Sequence, residues 1–212
     1  MFYSMIKKWD IIKSASTHKD RWLTVRSDTC RRQDGKIIAP YHVLEYSDWV
    51  NVVPVTVDYR VILARQYRHG AGIISLELPS GGMDGSDVSL ESAARRELVE
   101  ETGYDGGNFY HVGSSYANPA NQTNLVHSFL AVGVKKTHEQ ALDGSEEIEI
   151  VSLPFRDVMA GQHGNKGDCT IVQSLHLATL HLVCNYLLNG TDQRLQPLRG
   201  ALLESVTIGA SV

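Results

Sequence analysis

The sequence predicts an α/β sandwich preceded by a small N-terminal antiparallel β-sheet. Three observations lead there. Strand-like segments lie on both sides of one short helix bounded by glycines. A second, strongly apolar helix lies toward the C-terminus. Ahead of both, short segments alternate apolar and polar residues around turn signals. At 212 residues the chain suffices for one domain with a sizeable core and a small appended sheet.

Taken in order, Trp22-Leu23-Thr24-Val25 and Tyr41-His42-Val43-Leu44-Glu45-Tyr46 read as strands, with Asp34-Gly35 as a hairpin turn between them. They place the antiparallel sheet in residues 1–48. Trp49 to Val57 and Val61 to Gln66 open the main domain, residues 49–190, and are joined at Asp58-Tyr59-Arg60. Leu76-Glu77-Leu78 leads into Pro79 and a glycine loop, Gly81-Gly82-Met83-Asp84-Gly85. A helix follows from about Leu90 to about Thr102, with Ser89 as N-cap, Glu91 in the first turn and Gly103 as the stop. Tyr110 to Tyr116 and Leu125 to Val134 are strands around a polar loop, Ala117 to Asn124. Ile148 to Leu153 is another strand, and Pro154 at N1 opens a short helix, Phe155 to Ala160. The last helix spans about Thr170 to Leu188. The tail, residues 191–212, has no clear pattern, and mobility is the expectation there. Gly161 to Gly167 is glycine-rich but lacks the Gly-Lys-Ser/Thr ending of a phosphate-binding loop, so it reads as a surface connection.

Composition narrows the function. A net charge of −4 argues against a nucleic-acid partner held by phosphate neutralisation. Cys30, Cys169 and Cys184 are odd in number and widely spaced, which suits neither a disulfide framework nor a zinc site and points to a reducing compartment. Residues 1–8 hold no uninterrupted apolar region to serve as a signal peptide, and no apolar run approaches the roughly 18 residues of a membrane span. The expectation is a cytoplasmic protein with no membrane partner. His176 and His181, five apart on different helix faces, read as packing residues.

The chemistry concentrates on the glycine-bounded helix. At 100° per residue Ala93, Ala94, Glu97 and Glu101 share one narrow arc, with Glu100 at its edge. The alanines allow close approach to another element. The carboxylates crowd the last two turns, beside the negative end of the helix dipole, where like charges disfavour the helix. Two readings account for them: a solvated acidic face, or a site for a hard divalent cation, Mg²⁺ or Mn²⁺, which takes oxygen ligands.

Arg96-Glu97-Leu98-Val99-Glu100-Glu101-Thr102-Gly103-Tyr104 resembles the second half of the Nudix box, G-x5-E-x7-R-E-U-x-E-E-x-G-U with U apolar, and Gly82 occupies its opening glycine. Val88 stands at the position of the isolated glutamate, with Asp87 one residue early. The resemblance implies a Nudix α/β/α sandwich, with a mixed sheet packed between helices. It assigns Glu97, Glu100, Glu101 and the Ser80 carbonyl to the metal, and has Arg96 pair with a carboxylate and fix that carboxylate's orientation. The implied chemistry is water attack on a diphosphate linkage. Glu146 or Glu147, in the acidic loop Asp143 to Glu147, resembles the position that supplies the base in the sugar-nucleotide branch.

Within the family, Glu77-Leu78-Pro79-Ser80-Gly81 and Arg65-Gln66-Tyr67-Arg68 are similar to the E-L-P-A-G and Q-Y-R segments of ADP-ribose pyrophosphatases. By that likeness Arg68 contacts the diphosphate. Asn118-Pro119-Ala120-Asn121 departs from the branch's S-P-G, and Asn124 is the polar position toward the terminal sugar. Trp22, Tyr46 and Trp49 are candidates for stacking on the base. The resemblance also implies a homodimer in which the N-terminal sheet is exchanged. The function expected is hydrolysis of a nucleoside diphosphate sugar, ADP-ribose to AMP and ribose 5-phosphate. The alternatives are another nucleotide sugar such as GDP-mannose, or a Nudix-like sensor that binds without turnover.

Overall fold

The computed structural model describes residues 6–161 and 170–209. Cys169 and most of the glycine-rich connection lie outside the described residues. The chain divides into two units, one of residues 1–48 and 116–125, the other of residues 49–115 and 126–212.

The first unit is a three-stranded antiparallel sheet of β1 (Asp10–Lys19), β2 (Thr24–Arg31) and β3 (Ile37–Glu45), in that order. Gly35 takes a positive φ of 82° in the β2–β3 turn, as the Asp34-Gly35 signal predicts. Every residue of β1, an edge strand, is exposed. The polar loop joins this unit: the Leu44 N–H donates to the Asn121 carbonyl at 2.7 Å, and the Leu125 N–H donates to the Asp48 carboxylate at 2.7 Å.

The second unit is built on an eight-stranded mixed sheet. Its strands are β4 (Trp49–Thr56), β5 (Arg60–Arg68), β6 (Ile73–Glu77), β7 (Ser80–Gly82), β8 (Tyr104–Asp105), β9 (Asn108–Tyr116), β10 (Leu125–Lys136) and β11 (Ile148–Pro154). The order β11-β5-β4-β10-β8 has β10 parallel to β4 and β11 antiparallel to β5; β6, β7 and β9 pair with β5, β4 and β10. A sheet covered on both faces needs apolar residues on both, and β4 and β5 supply them as near-continuous buried runs. One face packs α1 (Leu90–Thr102) through Ala93, Ala94 and Leu98 against Val50, Val52, Phe129 and Ala131. The other face carries Val53, Leu63, Leu76 and Leu130 against the remaining helices. The sandwich expected from sequence is the fold found.

Local differences have physical reasons. α2 is Phe155–Met159, and Pro154 stands at its N-cap, closing β11, rather than at N1. α3 is Ser174–Asn189 and starts four residues later than expected because Gln173 is extended. The tail past Asn189 forms a 3-10 turn, Gln193–Leu195, and then α4 (Gln196–Gly209). Leu195, Leu198 and Leu202, each 1–2% exposed, bury one stripe of it in the α3-side core. That i, i+3, i+7 spacing is helical, but Pro197 and Gly200 mask it in the sequence. No described helix is long and apolar enough to cross a membrane.

Candidate active site

The site grows from the contact between α1 and the β6–β7 segment. Ser89 caps α1 by accepting from the Ser92 N–H at 3.0 Å, while the Ser92 hydroxyl accepts from the Ser89 N–H at 2.9 Å. Gly103 ends the helix at φ 70°, its N–H donating to the Val99 carbonyl. The helix is thereby fixed at both ends. Ala93 and Ala94, fully buried, bring its face hard against the sheet. Glu97 and Glu101 follow on that face, 9% and 4% exposed, while Glu100 stands at its edge with 41% of its side chain exposed. At Gly81 a Cβ would run into the Glu97 carboxylate, which would have to move to admit any side chain there.

Electrostatics follows from this packing. Burial pushes the Glu97 carboxyl up to about 7, against the opposing pull of Arg96. Burial raises Glu101 to about 9, although its carboxylate accepts from the Ser80 N–H at 3.1 Å. Glu146 adds to both shifts through its negative charge. Arg96 is held charged, chiefly by Asp87. It donates to Glu97 at 2.8 Å, Glu100 at 3.0 Å and the Gly82 carbonyl at 2.9 Å, and to both oxygens of Asp87 at 3.2 and 2.9 Å.

Opposite the helix, Arg68 forms a two-point ion pair with Glu77, at 2.9 Å from Nε and 2.6 Å from Nη2. Glu77 is 1% exposed, whereas the Arg68 side chain is 44% exposed, so one edge of the guanidinium is anchored and the rest faces outward. This pair holds Arg68 charged. In α3, His176 is buried neutral, brought down to about 4 by desolvation, and its Nδ1 accepts from the Leu78 N–H at 3.1 Å. It props the β6–β7 segment, which agrees with a packing role.

The acidic loop of Asp143 to Glu147 is closed on itself, with the Asp143 N–H donating to Glu146 at 3.0 Å. The field of Glu146 reaches Arg68, Glu97 and Glu101. Trp49 lies in β4, half-buried. In the other unit Trp22 is 62% exposed and Tyr46 half-buried. Asn124 is there too, 1% exposed, with both side-chain amide atoms lacking a hydrogen-bond partner. That unit also carries a cavity of roughly 530 Å³ walled by Trp9, Tyr41, Val43 and Asp28, with Lys7 and Lys8 at it. Trp22 and Tyr46 are not among its lining residues.

Among the described residues, no three His, Cys, Asp or Glu side chains converge into a ready-made metal site. The carboxylate oxygens are turned instead to Arg96 and to the Ser80 N–H. The donor chemistry nonetheless suits a hard cation: all oxygen, two carboxyls buried on one helix face and a third beside them.

Sequence reasoning missed Glu77 as the anchor of Arg68, and Gly81 as the backbone against which the Glu97 carboxylate packs. Arg68 and Glu77 fall on one face of the paired strands β5 and β6, a register that no local pattern in the sequence announces.

Comparison with known proteins agrees with this architecture. A NUDIX domain model matches residues 46–171, and a nucleoside diphosphate sugar hydrolase N-terminal domain model matches residues 9–44. The chain belongs to the Nudix hydrolase family. It is 28% identical over 118 residues to an ADP-ribose pyrophosphatase of Bacillus subtilis, covering 55% of this chain and 63% of that protein, just under two thirds of its length. It is 30% identical over 152 residues to a GDP-mannose pyrophosphatase of Salmonella arizonae, covering 64% and 76%. With that of Salmonella typhimurium it is 29% identical over 181 residues, covering 77% and 92%. A crystal structure of an ADP compounds hydrolase superposes with a TM-score of 0.71 at 22% identity, covering 88% of this chain and 97% of that one, which is a likeness of fold.

Proposed function

We propose that the protein hydrolyses the pyrophosphate bond of a nucleoside diphosphate sugar, ADP-ribose foremost, giving AMP and ribose 5-phosphate, with Mg²⁺ or Mn²⁺ held by Glu97, Glu100, Glu101 and the Ser80 carbonyl. The observation that carries this reading is the burial of Glu97 and Glu101 against Gly81 and Ser80, facing no buried counter-charge sufficient to keep both ionised. A bound divalent cation supplies that charge, neutralises phosphate oxygens and lowers the pKa of a water.

The chain's own residues supply the rest. Arg68, braced by Glu77, presents its free edge to the diphosphate. Arg96 orients Glu97 and Glu100. Water oxygen bonds to one phosphorus, the bridging P–O bond breaks, and the bridging oxygen leaves with the other phosphate. Glu146 takes the water's proton; its field at Glu97 and Glu101 supports it over Glu147. Asn124, buried with unpartnered amide atoms, suits sugar hydroxyls. Trp22, the most exposed aromatic candidate, suits a base better than Tyr46 or Trp49. The long exposed edge strand β1 supports a homodimer through the N-terminal unit.

GDP-mannose is the second reading, favoured by matches to GDP-mannose pyrophosphatases that extend over 77% of the chain. A sensor without turnover would be expected to have lost part of the Arg96–Glu101 cluster, which is whole here. A panel of nucleoside diphosphate sugars, coupled to phosphatase, tests the substrate, and equal rates on all of them would sink the ADP-ribose preference. Glu100→Gln and Glu101→Gln are expected to abolish turnover with the fold intact; activity surviving both would overturn the metal assignment.

A further inference from the structure

The glycine loop and α1 meet through one guanidinium, and its donors are fully used. Arg96 has five N–H groups. Nε and one Nη2 hydrogen go to Asp87, the other Nη2 hydrogen to the Gly82 carbonyl, and the two Nη1 hydrogens to Glu97 and Glu100. No rotation of the guanidinium preserves this set. Asp87 is the acceptor that fixes the plane, because it alone takes two of the five, side by side.

Asp87 is itself built in. The Asp84 carboxylate accepts from the Ser86 N–H and hydroxyl, both at 2.6 Å, and the Asp84 N–H donates to Asp87 Oδ2 at 3.0 Å. The resulting turn drives the Asp87 side chain inward to 3% exposure and leaves Val88 outward at 93%. A carboxylate at position 88 would therefore point into solvent.

We propose that Asp87 is a positioning residue: it sets the plane of Arg96 and, through it, the spacing between the glycine loop and the Glu97 and Glu100 carboxylates. Its consequence for cation binding rests on the function proposed above; its geometry does not. The residue one place early thus does the work that Val88 cannot.

The test pairs a direct readout with a functional one. In the wild-type protein, the Arg96 Nε–H is expected to exchange slowly with solvent by NMR, unlike those of exposed arginines. Free exchange would overturn the proposal whatever the protein's activity. Asp87→Asn replaces one acceptor with a donor. It is expected to speed that exchange, weaken Mn²⁺ binding by calorimetry about 10- to 100-fold and lower kcat similarly, with KM little changed. Val88→Glu is expected to stay within about twofold of wild type, being a surface change, and to leave Asp87→Ala/Val88→Glu as impaired as Asp87→Ala. Wild-type Mn²⁺ affinity in Asp87→Asn, or recovery in the double variant, would overturn the assignment. A drop in melting temperature with unchanged Mn²⁺ affinity would reduce Asp87 to a fold-stabilising role and count against it. A wild-type protein with a protected Nε–H that binds no Mn²⁺ and cleaves no nucleotide sugar would instead refute the proposed function.

Discussion

Burial raises the Glu97 carboxyl to about 7 and the Glu101 carboxyl to about 9, and it lowers the His176 imidazole to about 4. Each shift is a statement about stability. A glutamate raised from its ordinary 4.5 stabilises the fold below that pH, and the contribution is lost as pH rises through the folded value. A histidine lowered from 6.5 stabilises the fold above that pH and loses its contribution as pH falls toward 4. With two glutamates set against one histidine, stability of the cation-free protein should therefore decline as pH rises from about 5 to 9, His176 offsetting part of the loss only up to its ordinary 6.5. Mg²⁺ or Mn²⁺ should lift the alkaline side, since ionised carboxylates are the binding form. Thermal unfolding from pH 4 to 9, with and without cation, measures this. An alkaline side indifferent to cation would contradict the proposed ligand set.

At the scale of elements, α1 and α4 contrast. Glycine, serine cap and carboxylate spacing announced α1 to within its bounds, because capping and helix termination are local chemistry. α4 was illegible because its propensities are poor and its stability comes from burying Leu198 and Leu202, with Leu195 of the preceding turn, in the core shared with the sheet and α3. Leu198→Ala should thus cost about 2–5 kcal/mol in urea unfolding while leaving the chemistry of the site untouched. A cost near zero would mean that α4 does not contribute to the core.

For the whole molecule, the N-terminal unit raises the question of assembly. β1 exposes Ile11 at 59% and Ile12 at 47% on a ten-residue edge strand, a template for pairing that isolated proteins normally blunt. The full chain is expected to sediment as a dimer at micromolar concentration, and Ile11→Lys/Ile12→Lys to shift it toward monomer. A monomeric wild type would remove the exchange of sheets from the account.

The sequence by itself determined the sandwich, the helix of carboxylates and the family, because periodicity, caps and residue spacing are properties of neighbouring residues. Only the tertiary structure decided that Glu77 braces Arg68, that the Glu97 carboxylate packs on Gly81 and that Asp87 rather than position 88 engages Arg96. Those outcomes depend on which side chains the packed sheet and helix bring within hydrogen-bond reach, and on the desolvation that makes each pairing matter, neither of which is written in local order along the chain.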